Sequence, residues 1–258
     1  MKLGRTHVGQ VLVAALLLFS VLFLAGCGAF GGPQNTFAPE GEVASEQKNL
    51  FLLVMWPALV IMVLVMVGLV YIAIRYRRRS DAIPEQVHGN MRLELAWTIA
   101  PTILLLGIAV PTLISVVELG QAASKDALPV TVHAIQWDWS FEYTGITDAN
   151  GDTLESDTLY IPVGREVDFA LESIDVIHSF WVPKLAGKLD IVPGRTNHLK
   201  FTADEPGTYA GQCVEFCGIG HAIMRFETIA LEPDAFDAWV QEQLASEGAA
   251  SPSPTAGP

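Results

Sequence analysis

The sequence predicts a two-helix membrane hairpin followed by an exported all-β domain that ends in a short helix. Three observations predict it. Leu50 to Ile74 and Leu95 to Val117 contain no charged residue, and at about 1.5 Å per residue each can cross a hydrocarbon core of roughly 30 Å. Arg75, Arg77, Arg78 and Arg79 lie between them, and this excess of positive charge marks the connecting loop as cytoplasmic. Downstream, short stretches rich in β-branched and aromatic residues alternate with turn formers, the pattern of a sandwich or barrel. The composition agrees: 51% of the 258 residues are hydrophobic and only 17% charged, and mean hydropathy is +0.38. A simple soluble globule is excluded, because such domains are roughly 25% charged. The net charge of −13 also excludes a nucleic-acid partner, which would need a basic surface.

The chain opens with Lys2 and Arg5 ahead of a charge-free run, Val11 to Ala25, and then Gly26-Cys27. Residues 1–26 read as a signal peptide. Leu24-Ala25-Gly26-Cys27 resembles a bacterial lipoprotein box, which implies acylation of Cys27; the competing reading is an uncleaved first span with an incidental Cys. Either way residues 27–49 lie outside. The spans at 50–74 and 95–117 then flank a cytoplasmic loop, 75–94, whose only acids before Arg92 are Asp81 and Glu85. Pro101 and Pro111 interrupt the second span, which a membrane helix tolerates where neighbours satisfy the freed carbonyls.

Residues 118–244 form the exported domain. From Glu118 to the end the chain holds 22 of its 28 acids and seven of its 15 bases, a net charge of −15. Strands are expected within 130–137, 158–163, 166–171, 196–202 and 225–231, separated by breakers such as Asp148-Ala-Asn-Gly-Asp152, Pro193-Gly194 and Pro206-Gly207. Phe236, Trp239, Val240 and Leu244 recur at helical spacing in a closing helix, 233–244. The tail, 245–258, has the Ala, Ser, Gly and Pro content of a disordered segment.

One motif carries chemistry. The domain's only cysteines and only methionine fall in Cys213-x-Glu215-x-Cys217-x3-His221-x2-Met224. Two soft thiolates with an imidazole and a thioether suit copper rather than a hard cation. Zinc would want four good ligands, and Met is a poor one. A disulfide would leave His221 and Met224 unexplained. A single copper needs one Cys, so two thiolates four residues apart suggest two bridged metals and call for a second imidazole. His133, His178 and His198 are the candidates; His133 and His198 lie in strands, whereas His178 ends an apolar stretch before a turn.

CxExCxxxHxxM, joined to Asp175-Val-Ile-His-Ser-Phe-Trp-Val-Pro183 and Leu189-Asp-Ile-Val-Pro-Gly-Arg-Thr-Asn197, resembles subunit II of the haem-copper cytochrome c oxidases. The resemblance runs from the hairpin to the closing helix. It implies a cupredoxin-like barrel outside the bacterial cell membrane holding a binuclear CuA centre. Cys213 and Cys217 would bridge two copper ions, His178 and His221 would bind one each, and Met224 would be a weak ligand. Glu215 would ligate through its backbone carbonyl, and its side chain would face a magnesium ion shared with subunit I. The implied function is to accept electrons from cytochrome c and pass them to haem in subunit I, where oxygen is reduced to water and protons are pumped. Alternatives are the CuA subunit of a nitric oxide reductase and a membrane-anchored copper chaperone. Family members that use quinol lack the paired thiols. No CxxCH haem-attachment motif occurs, so the donor is a separate protein.

Two further residues gain roles by the same resemblance. In Gln136-Trp-Asp-Trp-Ser-Phe-Glu-Tyr143, Trp137 corresponds to the exposed aromatic through which the donor's electron enters. The plain alternative is that Trp137, Trp139 and Phe141 share a core face at period two. Position 138 is commonly aromatic in the family, and here it is Asp. Glu94, three residues before Trp97, corresponds to the acid at the mouth of a proton path into subunit I, or is an interfacial cap. Asp138, Glu142 and Asp175 are candidate acids for steering a cationic donor.

Overall fold

The computed structural model describes residues 32–78, 86 and 89–250. The signal peptide, Cys27, residues 79–85 and 87–88 of the cytoplasmic loop, and residues 251–258 lie outside them. Two long helices, α1 (Glu42–Arg75) and α2 (Met91–Leu119), contain the expected spans and outrun them at both ends. The polar ends added to each run continue the helix where backbone groups must still pair but side chains can reach water. The helices lie antiparallel, since the Ser115 hydroxyl near the end of α2 donates to Glu46 near the start of α1 at 2.5 Å. Thr98, Thr102 and Thr112 donate their hydroxyls to carbonyls four residues back, so these side chains are satisfied within a helix that holds Pro101 and Pro111. Nearly every apolar side chain of both helices is exposed in the isolated chain, far more apolar surface than a soluble monomer carries. That surface requires lipid or partner chains.

The domain is two facing five-stranded sheets. One has the order β3 (Thr153–Ser156), β2 (Asp138–Thr147), β1 (Leu128–Ile135), β5 (Val167–Ser173), β8 (Asn197–Phe201). The other runs β4 (Leu159–Pro162), β10 (Arg225–Leu231), β9 (Gly207–Cys213), β6 (His178–Trp181), β7 (Leu189–Ile191). The β1–β5 and β4–β10 pairs are parallel and the rest antiparallel. Alternate residues of β5 and β10 turn inward as period two requires. An aromatic cluster fills the space between the sheets. Phe180 stacks on Phe226 at 4.9 Å, and Trp139 lies 5.0 Å from Phe226 and 5.9 Å from Phe180. The final helix α3 (Pro233–Ala250) packs Trp239 on Tyr160 at 4.3 Å and continues past the expected end at Leu244.

A strap ties this domain to the hairpin. The Glu40 amide donates to the Lys184 carbonyl at 2.8 Å, the Asp204 amide to the Glu40 carbonyl at 3.0 Å, and the Ala44 amide to the Leu185 carbonyl at 3.2 Å. Lys184 also pairs with the Glu40 carboxylate. The first turn of α1 is therefore fastened directly to the loop that follows β6.

Candidate metal centre

The donors come from the ends of neighbouring strands and the loop between them. His178 is the first residue of β6 and Cys213 the last of β9; Phe180 pairs with Cys213 in the ladder between the two strands. After β9 the chain loops through Cys217, makes a single 3₁₀ turn at His221–Ile223, and returns at Met224 to begin β10. The loop is closed by the Cys213 amide donating to the Met224 carbonyl at 2.9 Å, and by His221 and Ile223 amides donating to Gly218 and Gly220 carbonyls. Gly218 has a φ of 117°, which other residues rarely adopt.

This fold brings all six sequence-predicted donors together. Cys213 Sγ is 3.8 Å from Cys217 Sγ, 3.9 Å from His178 Nδ1 and 3.3 Å from the Glu215 carbonyl. Cys217 Sγ is 3.6 Å from His221 Nδ1 and 3.7 Å from Met224 Sδ. His178, Cys213, Cys217 and Met224 are buried, and both thiols are free. Among the described residues, His178, Cys213 and Cys217 form a group whose donor atoms all lie within 4.8 Å of one another. His221 joins it through Cys217. Soft sulfur, imidazole nitrogen and one carbonyl, with no carboxylate among the converging atoms, fit copper by the chemistry of the donor set. Burial, together with the neighbouring Cys213 thiol, pushes the Cys217 thiol up to about 11, so metal must displace protons as it binds.

His133 and His198 stand apart from the site: His133 Nε2 faces Glu142 at 3.2 Å and His198 Nδ1 faces Asp168 at 3.4 Å. His178 is different, because its Nε2 meets Asp175 Oδ1 at 3.0 Å. A carboxylate only accepts, so Nε2 donates and Nδ1 keeps its lone pair toward the thiols. Burial opposes ionisation of Asp175, but hydrogen bonds from His178, the Val176 and Gln136 amides and the Ser173 hydroxyl outweigh it and hold the carboxyl at about 2. Sequence reasoning placed Asp175 among the surface acids and missed this inward role. A lone acid three residues before a His carries no recognisable signal.

Trp137 does not share a core face with Trp139 and Phe141. It sits in the turn before β2, outside the pleat, and is 40% exposed, whereas Trp139, Phe141 and Tyr143 point inward. Its indole Nε1 donates to the Cys217 carbonyl at 3.1 Å, beside Gln136 Nε2 at 2.7 Å from the same oxygen. The ring also covers the loop, since a Cβ at Gly220 would come within 2.5 Å of it. Of the other candidate acids, Asp138 accepts from the Trp139 amide and stays exposed, while Glu142 is engaged by His133. Glu94 lies at the start of α2, where it accepts from the Asn90 amide at 3.3 Å while the Asn90 side chain accepts from the Arg92 and Leu93 amides. It is thus a reciprocal cap of the helix.

Comparison with known proteins matches this architecture in two pieces. Residues 38–114 match the family described as cytochrome C oxidase subunit II, transmembrane domain, and residues 128–231 match cytochrome C oxidase subunit II, periplasmic domain. The chain is 44% identical over 240 residues to cytochrome c oxidase subunit 2 of Alkalihalophilus pseudofirmus, covering 87% of this chain and 66% of that one. It is 34% identical to cytochrome c oxidase subunit 2 of Bacillus subtilis, covering 88% and 67%. It is also 32% identical to quinol oxidase subunit 2 of Bacillus spizizenii, covering 90% and 72%. The chain thus spans about two thirds of the length of these relatives. A crystal structure of the periplasmic domain of subunit II of cytochrome oxidase of Bradyrhizobium japonicum matches 48% of this chain and 99% of its own, with 27% identity and a TM-score of 0.44. A transmembrane stretch and, after it, a periplasmic domain thus match in chain order, and the chain belongs to the cytochrome c oxidase subunit II family.

Proposed function

We propose that this chain is the electron-accepting subunit of a respiratory cytochrome c oxidase. It takes electrons from cytochrome c at a binuclear CuA centre and passes them to haem in subunit I, where oxygen is reduced to water with proton pumping. The observation that carries this reading is the doubled donor set: two thiols 3.8 Å apart, each with its own imidazole nitrogen within 3.9 Å. Two thiolate-bridged coppers would share one unpaired electron and spread each charge change over four atoms, which keeps reorganisation small. The chain's own part is to hold and shield that pair. His178, Cys213, Cys217 and Met224 are sealed from solvent, and the β-strand ends fix their spacing. Met224 tunes the potential as a weak ligand. The Glu215 carbonyl is a further ligand, and its half-buried side chain serves the magnesium ion shared with subunit I.

Trp137 admits the electron. It is exposed, and its indole bonds to the carbonyl of the ligand residue Cys217. Exposed Ile135 pairs with Asp138 at the turn that carries it, and exposed Ile174 follows Ser173, the partner of Ala134. Such an exposed turn within a domain of net charge −15 suits a small cationic donor. On the metal loop Phe216, Ile219 and Ile223 are also exposed, Ile219 by 97%, and residues 216–224 carry no acid and no Lys or Arg. That uncharged face suits a large partner subunit rather than water. The domain lies on the outer side of the membrane, tethered by the hairpin and by a lipid on Cys27. Beyond its capping role, Glu94 marks the cytoplasmic mouth of a proton path; Glu94→Ala with unchanged oxidase turnover removes that role.

Relatives named as quinol oxidase subunits make the donor the question to test. The two thiols favour cytochrome c. The decisive experiment purifies the complex containing the chain and mixes it with reduced cytochrome c or with a quinol. Rapid one-electron reduction of a copper centre by cytochrome c is expected. Reduction by quinol alone, or a copurifying nitric oxide reductase large subunit, contradicts the proposal.

A further inference from the structure

Asp175 uses both carboxylate oxygens, and the two arms lead to different parts of the site. Oδ1 accepts from His178 Nε2 at 3.0 Å, from the Val176 amide at 2.6 Å and from the Ser173 hydroxyl at 3.0 Å. Oδ2 accepts from the Gln136 amide at 2.7 Å. Gln136 in turn sends its side-chain amide to the Cys217 carbonyl at 2.7 Å, the oxygen that also receives the Trp137 indole at 3.1 Å. The bonds form a circuit from one imidazole, through the carboxylate, to the turn that carries the exposed tryptophan, and on to the loop that carries a thiol. Its members come from three separated segments, 136–137, 173–178 and 217, so local chain stiffness does not hold them together.

We propose that Asp175 is a positioning residue that couples the His178 ligand to the Trp137 electron entrance. Through Oδ1 it orients the imidazole and makes Nδ1 a stronger donor, because an anion on Nε2–H pushes electron density into the ring. Through Oδ2 it anchors Gln136, which keeps Trp137 seated over the Cys217 carbonyl. The same carboxylate thereby sets the centre's potential and the geometry by which electrons reach it.

This inference rests on the proposed reading of the site, and the experiment separates the two. The assembled oxidase is prepared with the wild-type chain, Asp175→Asn, Asp175→Ala and Gln136→Ala. Copper per chain, the electron spin resonance spectrum, the reduction potential and the rate of reduction by cytochrome c are measured on each. A wild-type spectrum without an electron shared by two coppers defeats the underlying reading, whatever the variants do. Given that shared spectrum, Asp175→Asn and Asp175→Ala are expected to raise the potential, since the weaker imidazole donor favours the oxidised state less. Both are also expected to slow reduction per copper about tenfold. Gln136→Ala is expected to slow reduction per copper and leave the potential in place. The coupling is overturned if Asp175→Asn keeps wild-type potential and rate. It is equally overturned if the rate falls only in step with lost copper while Gln136→Ala reacts as wild type.

Discussion

Individual side chains divide into those whose type declares their chemistry and those whose neighbours do. Cys213, Cys217, His221 and Met224 were legible because soft donors at that spacing have few other uses, and His178 was the best of three candidate histidines. Asp175 and Gln136 were not legible, since their roles arise from residues distant in sequence that meet only in the fold. Trp137 shows a third case: a period-two pattern counts it with Trp139, but the turn before β2 lifts it out of the pleat. Met224 offers a test at this scale. Its thioether lies 3.7 Å from Cys217 Sγ and is by its chemistry the weakest donor type in the set. Met224→Leu keeps volume and apolar character, so copper content should be retained while the potential of the centre rises, as measured by redox titration.

At the scale of elements, the helices and the short strand β4 were visible, whereas β3, β6, β7 and β9 were not. β6 is four residues containing a buried His, and β9 contains two glycines, so neither shows the alternation of large apolar residues that betrays β5 and β10. Both are held by their neighbours rather than by their own propensity. The aromatic cluster between the sheets supplies that support. Phe226 of β10 lies against Phe180, Trp139 and Phe141, and truncating Phe226 to Ala should cost about 3 to 5 kcal/mol in a denaturant melt of the metal-free protein. The strap before α1 responds to pH. The hydrogen bond from Lys184 holds the Glu40 carboxyl below its ordinary value of 4.5, against a smaller opposing effect of burial. A lowered folded value means that the contact stabilises the strap fully above the ordinary value and loses its effect as pH falls through the lower folded one. Protection of the Glu40 and Ala44 amides, measured against the slower intrinsic exchange of an unstructured chain in acid, should therefore fall at acid pH relative to neutral conditions, and Lys184→Met should abolish that difference.

The whole molecule is an apolar hairpin carrying a strongly acidic domain, and the strap fixes one to the other. Charge segregation was plain in the sequence, since 22 of 28 acids follow the second span. How the domain meets the hairpin was not, because the joining bonds run through the backbones of Glu40, Lys184 and Leu185. The field of the domain predicts that reduction by a basic cytochrome c slows about tenfold or more from low salt to about 0.3 M salt, as surface charges are screened. A rate indifferent to ionic strength would remove electrostatic docking while leaving the metal centre untouched. Whether two sulfurs join two coppers is measured most directly on the 258-residue chain, purified in detergent and loaded with copper. Two coppers per chain and a spin resonance spectrum with hyperfine splitting from two equivalent nuclei are predicted, both lost in Cys213→Ser and Cys217→Ser. One copper per chain with splitting from a single nucleus would contradict the account.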